Sequence, residues 1–361
     1  MKDILTAKTR ILNAITGGEV DRLPWCPFLA YYWNYLSDDI KNIGQIEYMK
    51  SLGADPMIRG SHVLAEPIYN NCKITETIKG HAKQSIYETP VGNLIMKHTY
   101  SPQGKTWYLT THPVAKVEDF KVLQYIYENI TFKDNIKGFE QDKIALGNDG
   151  LHVPILSTQA KTAFQSLIET WCGTIDLTYA VYDYPNVVEQ CLAVMQDKNS
   201  EAVNIAVESS AEAFIFWEDS STTNLSPTFF EKYTKPEIDN WGDIIHRENR
   251  LLMHHACGHL NGLIELIGDS NIDVLESISP PPTGDIELVD ARDRLPEHIA
   301  IIGGIEPVKF LTYSKTELEK YVMDIIENMK NTRFVLANSD SCPPGVEEEK
   351  FRIISNLVIK A

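Results

Sequence analysis

The stretch 250–259 reads RLLMHHACGH and places two metal-binding side chains at the end of a short apolar run. The apolar residues 251–253 predict a strand, and His255 and Cys257 follow it with a single residue between them. This spacing lets an imidazole and a thiol turn toward one ion, and Gly258 lets the backbone bend away behind them. We therefore expect a strand that delivers metal ligands at its end.

A third soft ligand, Cys342, stands 85 residues beyond Cys257, just past the apolar run 334–337 in the sequence NSDSCPPG. An isolated H-x-C pair has a plain alternative interpretation, because a free cysteine is usually a small buried hydrophobe. Three ligands from two strand ends, without a paired C-x-x-C, are more typical of an open zinc site than of a closed structural one. His255, Cys257 and Cys342 are therefore the predicted zinc ligands.

The amino-acid composition is that of a globular protein and limits its possible partners. The chain has 361 residues, of which 43% are hydrophobic and 23% charged, so it can bury a full core. Its formal net charge of −17 argues against a nucleic-acid or anionic-membrane partner. Residues 1–17 mix charged and apolar residues without a continuous apolar segment, so we expect no signal peptide and a cytoplasmic protein. The six cysteines show no disulfide framework.

Apolar runs alternate with helical patterns along the chain, which predicts an α/β fold. Strands are expected to begin near positions 23, 54, 153, 213, 251, 272, 299 and 333. Eight strands, each followed by a helical pattern, favour a (β/α)₈ TIM barrel formed by a single domain over residues 1–361. A doubly wound open sheet is the alternative. Alternating residues between 80 and 115 predict a β-hairpin insertion.

In a barrel the residues that follow each strand converge on one face. Glu218 and Glu276 are therefore candidates to complete the zinc site or to orient His255, although a carboxylate at a helix start often serves only as a cap. Asp219 is a candidate on the same grounds. Strand alternation points His254 away from His255, which favours a structural role for it, and His259 is left undecided.

Aromatic residues are dense after the first predicted strand, where a barrel mouth binds ligands. The predicted substrate-binding residues are Tyr31, Tyr32, Trp33, Trp217 and Glu276. Stacking on Tyr and Trp suits an aryl ligand, whereas ordinary packing at the rim is the alternative.

The chain resembles the uroporphyrinogen decarboxylase superfamily over nearly its whole length. The GEVDRLP sequence at 18–24 and IIGGI at 301–305 are similar to the superfamily's first-strand entry and a later strand. The H-x-C-G at 255–258, with Cys342 before Pro-Pro-Gly, looks like the zinc-ligating triple of its corrinoid-linked methyltransferases. The decarboxylase branch carries an Arg-rich loop after strand one, and that place here, residues 28–33, reads FLAYYW. The resemblance thus favours methyl transfer over decarboxylation.

This resemblance implies a zinc-dependent enzyme that moves a methyl group between a small molecule and the cobalt of a corrinoid. The chain lacks the D-x-H-x-x-G loop of cobalamin-binding domains, so we expect a separate corrinoid protein as partner. An aryl methyl ether is the expected methyl donor. The alternative is a coenzyme M-like thiol as acceptor, which needs a cation near the zinc that Arg59 or Lys161 would have to supply.

A lyase and a zinc-stabilised binding module are two other classes of function open to this chain. A decarboxylase-like lyase needs cationic groups at the mouth, and Arg59 and Lys161 form no cluster in sequence. A zinc-stabilised binding module does not need an open coordination position. No GxGxxG, P-loop or HExxH motif supports a nucleotide-binding or metalloprotease function.

Overall fold

The computed structural model describes residues 4–156 and 158–360. The strands in these ranges are β1 (Met57–Val63), β2 (Ala65–Tyr69), β3 (Lys73–Lys79), β4 (Ala82–Thr89), β5 (Gly92–Ser101), β6 (Thr106–Thr111), β7 (Ile130–Asp134), β8 (Leu151–Ile155), β9 (Ala213–Glu218), β10 (Leu251–Ala256), β11 (Val274–Ile278), β12 (Ala300–Ile305) and β13 (Phe334–Asn338).

The helices in the same ranges are α1 (Ala7–Thr16), α2 (Ala30–Tyr35), α3 (Asp38–Ile43), α4 (Gln45–Ser51), α5 (Asp119–Glu128), α6 (Ile136–Leu146), α7 (Ala163–Ser166), α8 (Thr174–Asp183), α9 (Pro185–Ala206), α10 (Pro227–Phe229), α11 (Lys235–Arg247), α12 (Ile264–Gly268), α13 (Leu288–Arg294), α14 (Pro307–Thr312), α15 (Lys315–Asn328) and α16 (Glu348–Lys360). Two π-helical turns are Leu167–Trp171 and Phe230–Thr234. None of the helices described is both long and apolar enough to cross a membrane.

Seven strands form a curled parallel sheet in the order β1-β8-β9-β10-β11-β12-β13. This order follows the chain without the reversal that a doubly wound sheet requires. The stretch predicted as the first strand contributes an isolated parallel bridge between Trp25 and Leu336 of β13. The carbonyl of Trp25 also accepts the N–H of Asp55, just before β1. The mixed α/β fold is confirmed, and closure into eight strands stays a prediction.

Alternate residues of the parallel strands separate two hydrophobic cores, as the two-residue period of a strand requires. The core inside the curl includes Met57, Val153, Ile215, Met253, Val274, Ile302 and Val335. The core between the sheet and the helices includes Phe214, Phe216, Leu252, Leu275, Ile301 and Leu336. In β10, Met253 faces inward, so His255 two residues later shares the inner face and His254 belongs to the outer one.

The β-hairpin insertion begins earlier in the chain than predicted. An antiparallel meander of β3, β4, β5 and β6 runs from Lys73 to Thr111, whereas the pattern predicted hairpins between 80 and 115. Strand β3 is exposed along its whole length, so no buried face marked it in the sequence. A second antiparallel pair, β2 with β7, flanks the meander on the chain.

A buried ion network fixes the segment before β1. Both carboxylate oxygens of Asp55 accept hydrogen bonds from guanidinium groups, at 2.6 Å from Arg10 and at 2.7 and 2.9 Å from Arg22. Asp55 also accepts the N–H of Trp25 at 3.0 Å. Asp21 pairs with Arg10 at 2.7 Å, and this hydrogen bond holds the pKa of Asp21 well below its usual range. The DRLP motif therefore anchors the Trp25 segment to the rest of the fold.

Candidate active site

His255 lies on the inner face of β10, near the carboxyl end of the strand, and is held by a buried carboxylate. Its ring Nδ1 donates a hydrogen bond to Oε2 of Glu276, the residue paired with it on β11. The side chains are 7% and 0% exposed. Because Glu276 fixes one ring nitrogen, Nε2 is the atom left for a ligand.

A buried arginine stands on the other side of Glu276. The Nε atom of Arg59 is 3.5 Å from Oε1 of Glu276, and both side chains are fully buried. Its Nη2 donates to the carbonyl of Cys26 at 3.0 Å. The sequence left the position of Arg59 open, and the absence of arginine from residues 28–33 favoured an aryl ligand over an anion. The structure places this cation beside Glu276, because β1 carries Arg59 on the inner face, two residues after Met57.

Two aromatic rings flank His255. Phe28 and Trp217 stack with their centroids 5.3 Å apart, and the centroid of Trp217 lies 4.5 Å from that of His255. Trp217 was predicted at the site, and Phe28 was not. Asn338 at the end of β13 holds Phe28, since its Oδ1 accepts the Phe28 N–H and its Nδ2 donates to the Phe28 carbonyl, both at 2.8 Å. Both aromatic side chains keep part of their surface exposed.

Cys257 follows β10 at the same end of the sheet. Its N–H donates to the carbonyl of Glu218 at 3.3 Å, and its Sγ lies 3.7 Å from that oxygen. Burial raises the pKa of the Cys257 thiol well above its ordinary value, and the nearby carboxylates of Asp340 and Asp219 raise it further. The thiol is therefore protonated at neutral pH unless a cation binds to it.

Gly258 makes the turn behind Cys257. It has a φ of +87°, and a Cβ built there would lie 2.6 Å from the Cβ of Ser221. Gly258→Ala is expected to destabilise the protein by about 2–5 kcal/mol, since both a left-handed backbone and a steric overlap are penalised. Urea unfolding measures the change. Gly44→Ala is the matched control, because Gly44 has a φ of +90° but a Cβ built there meets no atom within 4 Å. An equal loss of stability in both variants would show that steric overlap does not contribute at Gly258.

Cys342 lies against the segment that carries Phe28. Its N–H donates to the carbonyl of Phe28 and its own carbonyl accepts the N–H of Tyr32, both at 2.9 Å. The thiol is buried 3.8 Å from the carbonyl of Pro343, and burial raises its pKa well above the ordinary value. Cys342 belongs to the outer hydrophobic core in this arrangement.

The donor chemistry of these residues fits zinc, but the structure does not assemble the three side chains. A histidine with one ring nitrogen on a buried carboxylate matches the usual support of a zinc ligand, and thiols are preferred zinc donors. Across residues 4–156 and 158–360, however, no group of three or more His, Cys, Asp or Glu side chains is arranged to hold a metal ion. His255 and Cys257 share one strand end, and the full ligand set with Cys342 stays a prediction.

Glu218 was predicted at the catalytic centre, and the structure turns its carboxylate toward the helices instead. Oε1 accepts the N–H of Thr162 at 2.7 Å, and Oε2 accepts the hydroxyl of Ser220 at 3.1 Å. His254, which stacks on Phe216 at 4.4 Å, lies 3.7 Å from the same carboxylate. Burial tends to raise the pKa of Glu218, but the interaction with nearby His254 and the hydrogen bond from Thr162 outweigh it and lower that pKa. Strand alternation separates Glu218 from His255.

A second buried carboxylate, Glu237, adjoins this outer network and makes stability depend on pH. Burial raises the pKa of Glu237 from 4.5 to about 8, so the folded protein keeps a proton that the unfolded chain loses above pH 4.5. Stability should therefore fall by about 1 kcal/mol per pH unit from pH 4.5 toward pH 8, where the fall ends. Urea unfolding at several pH values compares the protein with Glu237→Gln, which should lack this part of the slope. Identical slopes would contradict the assignment.

A polar cluster borders Cys257 at the carboxyl end of the curled sheet. Lys161 pairs with Glu169 at 2.8 Å and donates to the carbonyl of Trp217 at 2.8 Å. Asp219 donates its N–H to Glu169 and accepts from Asn224 at 2.6 Å, and burial raises its pKa, as does the charge of Glu169. Asp219, rather than Glu218, therefore brings a carboxylate close to Cys257 at this end of the sheet.

The aromatic residues of α2 do not surround His255. The Tyr32 hydroxyl shares a hydrogen bond of 2.9 Å with that of Tyr48, and its ring lies 5.1 Å from Phe351. Trp33 packs at 5.7 Å from Tyr48, whereas Tyr31 is 47% exposed. The helix turns Tyr32 and Trp33 into the outer core, so the aromatic rings beside His255 are those of Phe28 and Trp217. The substrate-binding role predicted for the aromatic residues of α2 stays a prediction.

Comparisons with known proteins give one family. Residues 162–360, more than half of the chain, match the family described as uroporphyrinogen decarboxylase (URO-D). No curated protein matches the chain in sequence.

Solved structures are similar to this chain at low sequence identity. A methyltransferase from Methanosarcina mazei superposes with a TM-score of 0.61 and 14% identity, over 99% of this chain and 99% of that one. A B12-independent methionine synthase from Shewanella sp. W3-18-1 covers 94% of this chain and 97% of its own, with a TM-score of 0.44 and 10% identity.

Proposed function

This chain belongs to the uroporphyrinogen decarboxylase family, and from that premise we propose that it is a zinc-dependent methyltransferase that acts with a separate corrinoid protein. The observation that carries the proposal is the pairing of His255 with buried Glu276 at the strand end that also carries Cys257. The carboxylate orients the imidazole and leaves Nε2 as the ring nitrogen for a metal ion, as expected for a histidine prepared to bind one. The methyltransferase from Methanosarcina mazei shares the fold.

The proposed zinc ligands are His255, Cys257 and Cys342. Zinc bound there supplies Lewis-acid chemistry, which suits either an ether oxygen or a thiol. Both thiols lose their protons on binding, because burial keeps their pKa values high in the metal-free chain. Zinc binding should therefore release protons and weaken as the pH falls.

The proposed methyl donor is an aryl methyl ether. Phe28 and Trp217 offer partly exposed aromatic faces beside His255, and their stacking fixes the position of both rings. An aromatic substrate packed there displaces water from the reacting group and gains from ring contacts. The role of the chain is to bind and orient the ether, while the corrinoid protein accepts the methyl group.

Methyl transfer from a corrinoid to a thiol is the second candidate. A small anionic thiol needs a cation close to the metal, and Arg59 is a buried cation next to Glu276. Decarboxylation is less well supported, because this single arginine is paired with a carboxylate and residues 28–33 contain no arginine.

The corrinoid is proposed to come from a partner protein that docks over the mouth. No stretch of the chain reads as the D-x-H-x-x-G loop of a cobalamin-binding domain. The purified chain should accordingly be colourless, and a tightly bound corrinoid spectrum would overturn this part of the proposal.

The direct test offers methoxylated aromatics and small thiols to the zinc-loaded chain together with a corrinoid protein. The ethers are tested with cobalt(I) and the thiols with methylcobalt(III), and the cobalt spectrum reports transfer. Conversion of cobalt(I) by a methoxylated aromatic supports the main proposal. Turnover with thiols alone would select the second candidate, and loss of carbon dioxide from a carboxylated substrate without any methyl transfer would reject both.

A further inference from the structure

A bulge interrupts β1 beside the candidate active site. Between the paired residues Arg59 and Val63 of β1 lie residues 60–62, and only Pro154 of β8 stands opposite them. Proline has no N–H to donate to the neighbouring strand, so regular pairing cannot continue through this position. Bulges of this kind change the direction of side chains and are common next to active sites.

The inner side of the bulge contacts the ring of Trp217. Gly60 has a φ of +68°, and a Cβ built there would lie 2.9 Å from Cζ2 and 3.0 Å from Nε1 of Trp217. The edge of the indole ring therefore lies directly against the backbone of the bulge. The same ring stacks on Phe28, and its centroid is 4.5 Å from that of His255. Because this interior is closely packed, a shift of the bulge is expected to shift the ring beside His255.

The outer side of the bulge carries a hydrogen-bonded group of side chains that the proposed function does not use. The Ser61 hydroxyl lies 2.9 Å from Nδ1 of His62 and 3.2 Å from Nδ1 of His152 on β8. Nε2 of His62 lies 3.0 Å from Oδ2 of Asp142 on α6. His152 is buried, the His62 side chain is 14% exposed, and Phe139 of α6 packs against both imidazole rings. Ser61, His62, His152 and Asp142 together form the outer histidine cluster.

Donor and acceptor roles in the outer histidine cluster follow from its carboxylate. Because ionised Asp142 can only accept, neutral His62 keeps its proton on Nε2, and its Nδ1 accepts from the Ser61 hydroxyl. The Ser61 oxygen then accepts from Nδ1 of His152. A second proton on His62 turns its Nδ1 into a donor, so the Ser61 hydroxyl loses its acceptor. Acid should therefore loosen the bulge from its outer side.

Acid acts on His152 as well. Burial lowers the pKa of His152 and the neighbouring His62 lowers it further, whereas Asp142 opposes both effects. The folded protein thus resists a proton that the unfolded chain takes up near pH 6.5, and stability is lost as the pH falls below that value. The charged group that faces the two histidines from α6 is Asp142, and β8 contributes His152 itself.

We propose that the outer histidine cluster positions Trp217 through the bulge of β1 and releases the ring in acid. Its members are positioning residues, because they act through Gly60 rather than on a substrate. The inference rests on the proposed function for its meaning, since Trp217 is one of the rings on which the proposed aryl substrate packs. The position of the ring can nevertheless be measured without zinc, substrate or corrinoid protein.

Fluorine NMR of the metal-free protein labelled with 5-fluorotryptophan reports the surroundings of each of the six tryptophans. The Trp217 resonance is identified by its loss in Trp217→Phe. Ser61→Ala removes the hydroxyl that joins the two histidines, so the Trp217 resonance should shift and broaden at about pH 7.5 while the other resonances stay in place. A Trp217 resonance that keeps its position in Ser61→Ala would overturn the proposal.

His246→Ala is the matched control for the Ser61 variant. It also removes a hydrogen bond of an imidazole, since Nε2 of His246 lies 2.8 Å from Oδ2 of Asp273, but this pair lies outside the outer histidine cluster. The Trp217 resonance should stay unchanged in this variant. An equal shift in both variants would show that the ring responds to any such loss, and it would refute the assignment to the cluster.

A pH series tests the release in acid. Between about pH 7.5 and pH 5 the wild-type Trp217 resonance should move toward its position in Ser61→Ala and return when the pH is restored. The double variant His62→Gln, His152→Gln should not show this movement, because glutamine does not titrate. A movement of the same size in the double variant would contradict the proposal. If circular dichroism shows that the double variant does not fold, Ser61→Ala takes its place and should move less than the wild type, and equal movement would count against the cluster.

Failure of this inference and failure of the proposed function give different results. A Trp217 resonance that responds to Ser61→Ala and to acid, in a chain that transfers no methyl group, would support the positioning role and reject the proposed function. Methyl transfer by a chain whose Trp217 resonance ignores both changes would do the reverse.

Discussion

Cys257→Ser is expected to lower zinc affinity by more than about a hundredfold and to abolish methyl transfer. A serine hydroxyl keeps the shape of the residue but does not ionise as a thiol does, and zinc prefers thiolate sulfur. The fold should survive, because Cys257 is only partly buried and packs at the end of a strand. Zinc content after dialysis against a weak chelator, measured by plasma emission, should fall from about one ion per chain to near zero.

Cys72→Ser is the control for this experiment, since it is the same substitution at a partly buried cysteine between β2 and β3. It should keep both zinc and activity. His255→Ala and Cys342→Ser should behave like Cys257→Ser. Full zinc occupancy in the Cys257 and Cys342 double variant would show that the ligands lie elsewhere.

Asp55→Ala is expected to destabilise the protein by about 3–5 kcal/mol. The carboxylate is 1% exposed and accepts hydrogen bonds from Arg10 and Arg22 and from the N–H of Trp25. Its removal takes away the acceptor of the Trp25 N–H and a buried carboxylate from two guanidinium groups, of which Arg10 still has Asp21. The free energy of unfolding in urea, with the unfolding slope checked for constancy, measures the loss.

Asp149→Ala serves as the comparison for Asp55. Asp149 pairs with Lys50 at 2.7 Å, but its side chain is 58% exposed, so its loss should change stability by less than about 1 kcal/mol. If both substitutions cost equally little, the buried network does not anchor the Trp25 segment.

Local periodicity predicted the parallel strands well, because each one is buried on both faces and reads as an apolar run. The runs before Glu218, His255 and Cys342 each form a strand of the curled sheet. Alternation along β10 also placed His254 and His255 on opposite faces. These features depend on neighbours within a few residues, which is why the sequence carries them.

The residues that surround His255 could not all be predicted, because some are positioned by contacts between distant parts of the sequence. Phe28 reaches the site because Asn338 holds its backbone, 310 residues away in sequence. Composition favoured the denser aromatic run after Phe28, but helix geometry turns Tyr32 and Trp33 into the outer core and leaves Tyr31 exposed. The inward direction of Arg59 was predictable from local alternation, because Arg59 follows the inward-facing Met57 by two residues on the same strand.

The hydrogen bonds between Phe28 and Asn338 also determine when the candidate active site can assemble during synthesis. Phe28 leaves the ribosome early, but its partner is made 310 residues later, so the stacked ring beside His255 has no anchor until the last strand emerges. Such a non-local contact forms late and slowly, because the chain must lose the entropy of a long loop before the contact stabilises the fold. Nascent chains that stop short of residue 338 should hold most of the sheet and yet recognise no ligand. Competence to bind would then mark a finished molecule, which a ligand-affinity resin could separate from stalled ones.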